Sequence, residues 1–414
     1  MRAKLLDAFA RPSQPALFVL IFISVFMLVA NSLFLKDSPN HETHLPTPKL
    51  CDPYATPAGI LDKSTGAWTV ISSLAAEASC NATDNVQILM DAQASNNSLP
   101  PHLANKIVLF IGDSFERNIV SELCEKANVQ PFGILLNGTF VENPIFGDTR
   151  ICVIRGGESV FVVINVFHFG IVGDFSRFPM DGFHWEKGYS PLKISERIQW
   201  IPHLLLSAAG HAFPELCIAA NQTCPSPVFR KDRVENTRLE DWTPEILDLE
   251  KNHIWYPKPD MIVSQSLTWD LAKFTRCTNN DFIPLMEEWV PKFRNYIIKT
   301  VRSTFGGVVK NQVSTNGEIV PRFYTRTLPL PKKGSRFTNQ FFSSINSVNQ
   351  LVRKGIFKDG NASAEWGVLD WDLLVNGVDI HTEDPEHPNK FGNIAYMQLV
   401  LSRLNLLYQA EKKQ

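Results

Sequence analysis

The chain contains no Cys-x-x-Cys pair and no histidine-rich spacing, so it lacks the ligand pattern of a zinc site. An excess of charge is missing as well. Lys and Arg number 40 against 42 Asp and Glu, a formal net charge of −2 with no basic stripe. A nucleic-acid surface needs such a stripe, and that partner class is set aside. No internal repeat and no long low-complexity tract is present. Apolar residues make up 44% of the chain, ample for a large core, so a mainly disordered protein is excluded. At 414 residues, one sizeable domain plus an anchor fits better than two equal domains.

The N-terminus sets the expected compartment. Ala16 to Leu35 is a mainly apolar, uncharged stretch of about twenty residues, long enough to cross a bilayer. Arg2, Lys4 and Arg11 precede it, which favours a cytosolic N-terminus and a type II orientation. A cleaved signal peptide, with Val29-Ala30-Asn31 as a poor cleavage site, is the alternative and would give a secreted protein. The expected layout is a cytosolic tail (1–15), a signal-anchor (16–35), a stem and disulfide-tied lead-in (36–103) and a main domain (104–410).

Five Asn-x-Ser/Thr sequons follow the span, at Asn81, Asn96, Asn137, Asn221 and Asn361. As a set they agree with a glycosylated domain in the secretory lumen, the Golgi being the expected organelle. The seven cysteines all lie outside the apolar stretch and suit an oxidising lumen. Cys217 with Cys224, Cys51 with Cys80, and Cys124 with Cys152 are candidate pairs, leaving Cys277 over. Sequence alone does not fix that connectivity.

From Lys106 onward strand-like and helix-like runs alternate, which predicts a parallel sheet covered on both faces. Strands are expected at Ile107–Ile111, Ile134–Leu136, Val160–Val166, Met261–Ser264, Phe323–Thr327 and Gly367–Asp370. Helices are expected at Glu116–Ala127, Ser190–Ala209, Ile283–Ser303 and Asn339–Lys354, with a final one carrying Ile394, Met397, Leu401, Leu404 and Leu407. Phe175 to Lys258 reads as an insertion over the sheet's carboxyl edge, where open α/β folds bind ligands. Its Phe183, Trp185, Tyr189, Trp242, Trp255 and Tyr256 are candidates to line a sugar cleft, or to pack the insertion onto the main domain.

The chain is organised around Lys106-Ile-Val-Leu-Phe-Ile-Gly-Asp-Ser-Phe-Glu-Arg-Asn118. A short apolar strand, a sharp break at Gly112-Asp113-Ser114 and a helix place a serine where an α/β hydrolase holds its nucleophile. The glycine is expected to allow the tight turn, and the helix aims its free N–H groups at the reacting oxygen. Far downstream, Asp384-Pro-Glu-His387-Pro-Asn389 precedes the final helix. An acid three residues before a histidine can complete a Ser/His/Asp constellation: His387 takes the Ser114 proton, and Asp384 orients the imidazole. Asp379-Ile380-His381 is a competing acid–histidine pair, read as a strand end or loop. Asp370 and Asp372 are read as closing a strand. His168, between Phe167 and Phe169, reads as a satisfied buried histidine.

These two stretches resemble the first and last signature blocks of the SGNH (GDSL-like) hydrolases. The Arg117-Asn118 extension resembles the PC-esterase and trichome birefringence-like branch, particularly its fungal-type members. Pro259-Asp-Met-Ile-Val-Ser-Gln-Ser-Leu-Thr-Trp-Asp-Leu271 and Arg322-Phe-Tyr-Thr-Arg-Thr-Leu-Pro329 resemble two further blocks of that branch. The likeness spans roughly Lys106 to Leu407.

It implies a three-layer αβα, flavodoxin-like fold and acyl-ester chemistry on carbohydrate hydroxyls through a Ser114 ester, without a cofactor. Oxyanion donors would be the Ser114 N–H, the Gly170 N–H (Gly138 the alternative) and a side-chain amide. Many SGNH enzymes use asparagine for that amide; the matching block here offers Gln265. Asp113, Arg117, Asn118, Trp269 and Asp270 are assigned structural or substrate-positioning roles. A glycan O-acetyltransferase is the leading expectation, with an acyl-donor partner protein possible. A carbohydrate acetylesterase with the same triad and a non-catalytic glycan-binding scaffold are the alternatives.

Overall fold

The structure is a computed structural model that describes residues 54, 59–61, 68–70, 83–134, 140–141, 149–168, 170–171, 194–223, 249, 254–268, 270–271, 289–306, 309, 311–313, 319–331, 339–354, 366–375, 380 and 387–412. Backbone contacts divide the chain into two units, Met1–Lys49 and Leu50–Gln414, and every described residue belongs to the second. Among the described residues no helix is long and apolar enough to cross a membrane; the expected anchor at 16–35 lies outside them.

In chain order the strands are β1 (Gly59–Leu61), β2 (Trp68–Val70), β3 (Lys106–Gly112), β4 (Phe132–Ile134), β5 (Phe140–Val141), β6 (Thr149–Gly156), β7 (Ser159–Phe167), β8 (Met261–Ser264), β9 (Gln312–Val313), β10 (Ile319–Val320), β11 (Phe323–Arg326) and β12 (Trp366–Leu369). The helices are α1 (Asn85–Ser95), α2 (Ser114–Lys126), α3 (Ile194–Ala212), α4 (Pro214–Ala219), α5 (Lys299–Phe305), α6 (Asn339–Arg353), α7 (Trp371–Leu374) and α8 (Lys390–Lys412). A π-helical turn, Arg294–Ile298, leads into α5.

β1 with β2 and β9 with β10 form separate antiparallel pairs. The other eight strands form one sheet, in the order β12-β11-β8-β3-β7-β6-β4-β5. Every pairing from β12 to β7 is parallel, and every pairing beyond β7 is antiparallel. The result is an α/β fold on a mixed, mostly parallel sheet.

The apolar runs of β3 and β7 fit central strands because both of their faces are buried. Ile107, Leu109 and Ile111 join Val162, Ile164 and Val166 in one core, with apolar residues of α3, α5 and α6. Val108, Phe110, Phe161 and Val163 face the other core, with residues of α1, α2 and α8. The period-2 alternation of a strand divides one run between two cores.

The sheet is mainly parallel, as expected; β6, absent from the strands expected from the sequence, adds an antiparallel strand beside β7. It pairs with β7 through a two-residue turn at Gly157-Glu158, with Gly157 at φ +60°. Gly156-Gly157 ahead of an apolar run was the available signal. α3, expected at Ser190–Ala209 within the stretch read as an insertion, places Ile198, Ile201 and Leu205 in the first core. Within the same stretch Tyr256 is fully buried and Trp255 packs against that core. Phe183, Trp185, Tyr189 and Trp242 lie outside the described residues.

Candidate active site

β3 ends at Gly112, and α2 begins two residues later at Ser114. Asp113 caps the helix. Its side chain takes the Phe115 N–H at 3.0 Å and the Glu116 N–H, while Glu116 returns to the Asp113 N–H at 3.1 Å. This reciprocal capping box satisfies donors that a helix start otherwise leaves open. The Arg117 N–H bonds the Asp113 carbonyl at 3.1 Å. The Ser114 N–H is left over, with no partner among the described residues. Gly112 does not adopt positive φ. Its missing Cβ makes room for Glu116, whose Oε2 would lie 2.3 Å from one. That close approach, rather than a tight turn, is why glycine stands there.

Arg326, at the end of β11, is fully buried and ion-paired with Glu116, and its guanidinium lies 3.8 Å from Asp113. It also sits 5.1 Å from the Phe115 ring and 5.2 Å from that of Trp371. Burial pushes the Glu116 carboxyl upward, and the Arg326 guanidinium counteracts that push. The turn that carries Ser114 is thus fastened to a strand two places away in the sheet.

Ser114 Oγ lies 2.7 Å from His387 Nε2, across 273 residues of sequence. His387 rests against Phe115, ring centroids 5.1 Å apart. Its position follows from the start of α8. Asn389 Oδ1 accepts the Gly392 N–H at 3.0 Å, and Asn393 Nδ2 donates to the Pro388 carbonyl at 3.1 Å. Asp384, expected to orient the imidazole, lies outside the described residues, as do Asp379 and His381. Asp370 and Asp372 both pair with Arg353 beyond the end of β12, a structural use.

The carboxyl ends of β7 and β8 flank the serine. The His168 N–H donates to the Gly112 carbonyl at 2.8 Å. Its ring Nε2 donates to the Gln265 carbonyl at 2.7 Å, and its Nδ1 accepts the Gly170 N–H at 3.0 Å. Burial pushes this imidazole down to about 4, so it is neutral near pH 7. The expectation of a satisfied buried histidine holds. The N–H of Gly170, the residue expected as an oxyanion donor, donates to His168 Nδ1. The alternative, Gly138, lies outside the described residues.

The Gln265 N–H bonds the Ile111 carbonyl at 2.8 Å, which places this residue beside the last residues of β3. Its Oε1 accepts from the Ser266 and Leu267 N–H groups, the latter at 2.6 Å. Both backbone groups are donors, so they fix which end of the amide is oxygen. The Nε2 that remains is fully buried and has no partner among the described residues.

Asp270 is a loop anchor. It accepts the Ile171 N–H at 3.0 Å and Trp289 Nε1 at 2.9 Å. A Cβ on Gly170, at φ +94°, would come within 2.3 Å of Asp270 Oδ1, which makes glycine necessary there. Trp269 lies outside the described residues. Arg117 and Asn118 are half-buried and bonded to each other, with Arg117 5.6 Å over the Phe167 ring.

Cys124 and Cys152 form a disulfide joining α2 to β6, with Cα atoms 5.5 Å apart. Cys217 is disulfide-bonded, and Cys51, Cys80, Cys224 and Cys277 lie outside the described residues. Asn96 and Asn221 are exposed, whereas Asn81, Asn137 and Asn361 lie outside the described residues. Among the described residues no group of His, Cys, Asp or Glu could hold a metal ion.

Sequence reasoning missed Glu116 and Arg326. Asp113-x-x-Glu116 has capping-box spacing and was a usable signal for the first. Nothing local marks Arg326 as the partner of a residue 210 positions away. No family model, curated protein or solved structure matches this chain.

Proposed function

We propose that the protein is a serine acyl-ester enzyme of the SGNH kind, on a three-layer αβα sandwich, acting on carbohydrate hydroxyls in the secretory lumen. The observation that carries this reading is the 2.7 Å contact between Ser114 Oγ and His387 Nε2 at the start of a helix. His387 Nε2 takes the hydroxyl proton as Ser114 Oγ attacks the acyl carbonyl, and passes it to the leaving group. The acceptor then attacks the Ser114 ester and gives its proton to His387, which returns it to the departing Ser114 Oγ as the ester bond breaks. The carboxylate that orients His387 is Asp384 in this reading.

Two groups support oxyanion binding: the Ser114 N–H and the Gln265 Nε2, both without a partner among the described residues. A donor of this sort is worth roughly 10²–10³ in rate when lost. The Cys124–Cys152 bond and the exposed sequons at Asn96 and Asn221 support the luminal address. A membrane-anchored enzyme located where glycans are built suits acetyl transfer to a sugar, with water as the acceptor in the esterase alternative.

The test is to incubate the purified full-length protein with an activated acetyl ester and measure mass added to the Ser114 peptide. An adduct cleared faster by oligosaccharide than by buffer establishes a transferase. Equal clearance makes it an esterase. No adduct, under conditions that label a known serine esterase, leaves only a scaffold.

A further inference from the structure

We propose that His168 is a positioning residue for the oxyanion site, which it reduces to two donors, the Ser114 N–H and the Gln265 Nε2. This rests on the acyl-enzyme reading of Ser114.

Three strand ends meet at this one residue. Through its backbone N–H, His168 is bonded to the Gly112 carbonyl that ends β3. Through Nε2–H it holds the carbonyl of Gln265, just past β8. Through Nδ1 it takes the N–H of Gly170, just past β7. His168 is 3% exposed, so water does not compete for these contacts. Neutral imidazole offers one donor and one acceptor, and here both are used, on opposite sides of the ring.

Two consequences follow for the reaction. First, Gln265 is clamped at both ends. His168 holds its carbonyl, and the Ser266 and Leu267 N–H groups hold its Oε1. The amide therefore needs no reorganisation when charge develops on the acyl oxygen, the condition under which such a donor is most effective. Second, the Gly170 N–H is bonded away from the reacting oxygen. The glutamine amide carries what a loop glycine would otherwise share.

An imidazolium would lose the acceptor for Gly170 and present N–H against N–H. The groups facing His168 bear on this: Glu116 favours its protonation and Arg197, from α3, opposes it, while burial outweighs both.

The experiment is a double-mutant cycle on the full-length protein, following Ser114 acylation by an activated ester. His168→Phe and Gln265→Ala should each lower kcat about 100- to 1,000-fold with little change in KM. The double variant should be little slower than either single one, because both remove the same donor. His168→Gln, which can donate and accept at the same two places, should restore most of the rate. Melting temperatures read alongside separate positioning from folding. If His168→Phe does not fold, His168→Asn takes its place in the cycle. Additive losses, or a His168→Gln variant as slow as His168→Phe at equal stability, overturn the proposal. A native protein that forms no Ser114 ester overturns the acyl-enzyme reading itself. Acylation that is normal in all His168 variants sinks only the role given to His168.

Discussion

The two halves of the sheet are built from the same apolar, β-branched residues and contribute different things. In the parallel half, from β12 to β7, every strand ends at the same edge. Gly112, His168, Gln265 and Arg326 therefore emerge side by side, and the proposed chemistry assembles from them. Along the antiparallel part, β6, β4 and β5, neighbouring strands end on opposite edges and no such convergence arises. That edge is fastened covalently instead, through Cys152 to Cys124 on α2, the helix that begins at Ser114. Direction of pairing decides which half can gather functional groups. Covalent and packing contacts decide how firmly the other half holds them.

The sharpest break falls on the parallel half. Ser114→Ala should abolish the acyl adduct, and His387→Ala should lower acylation by at least ~10³-fold without unfolding the chain. Stopped-flow measurement of acylation beside a thermal melt checks both.

Next in size is the buried ion pair. Arg326→Met leaves Glu116 buried without its cation and should cost about 3–5 kcal/mol in denaturant unfolding. Adding Glu116→Gln should recover part of that loss. A double variant no more stable than Arg326→Met would show that the two side chains are not coupled.

The antiparallel edge should respond in stability rather than rate. Replacing Cys124 and Cys152 together by alanine opens a loop of sequence separation 28 and should cost about 2–4 kcal/mol. Acylation of Ser114 should stay near the native rate.

Acid titration sharpens the contrast further. His168 and His203 are both pushed from 6.5 down to about 4 by burial. Each is neutral in the fold and protonated in the unfolded chain between those values. Their contribution is complete above about 6.5 and drains away as pH falls toward 4. For fully buried His168 the whole interval amounts to roughly 3 kcal/mol. Glu122, on α2, works in the opposite direction. Burial raises it to about 7, so the fold loses stability as pH climbs from 4.5 to that value. Unfolding across pH 4–8 for His168→Gln and Glu122→Gln separates the two slopes. The smallest effect belongs to the exposed Lys390–Glu125 pair, where Lys390→Ala should cost no more than about 0.5 kcal/mol.

Much of the central scaffold was legible beforehand. Ile107 to Ile111 is a continuous apolar run, which only a strand buried on both faces requires, and Met261–Ser264 matched its observed strand at both ends. The final helix was readable from its apolar spacing, although it is buried on more than one face. β6 was harder because Arg150 and Arg155 interrupt its apolar pattern. Their partners, Ser121 on α2 and Glu215 on α4, come from distant sequence.

The site divides in the same way. Ser114 and His387 could be named because each sits in a local pattern, a strand-to-helix break and a helix entry. The use of the Gly170 N–H could not, because it depends on where His168 comes to rest. Composition, apolar period and the two end motifs are local properties, and they determined the class of fold and which hydroxyl and imidazole to watch. Which donors remain free, and which buried charge answers which, depend on strand order and on the meeting of side chains up to 273 residues apart. Those are long-range contacts, and only the folded chain decides them.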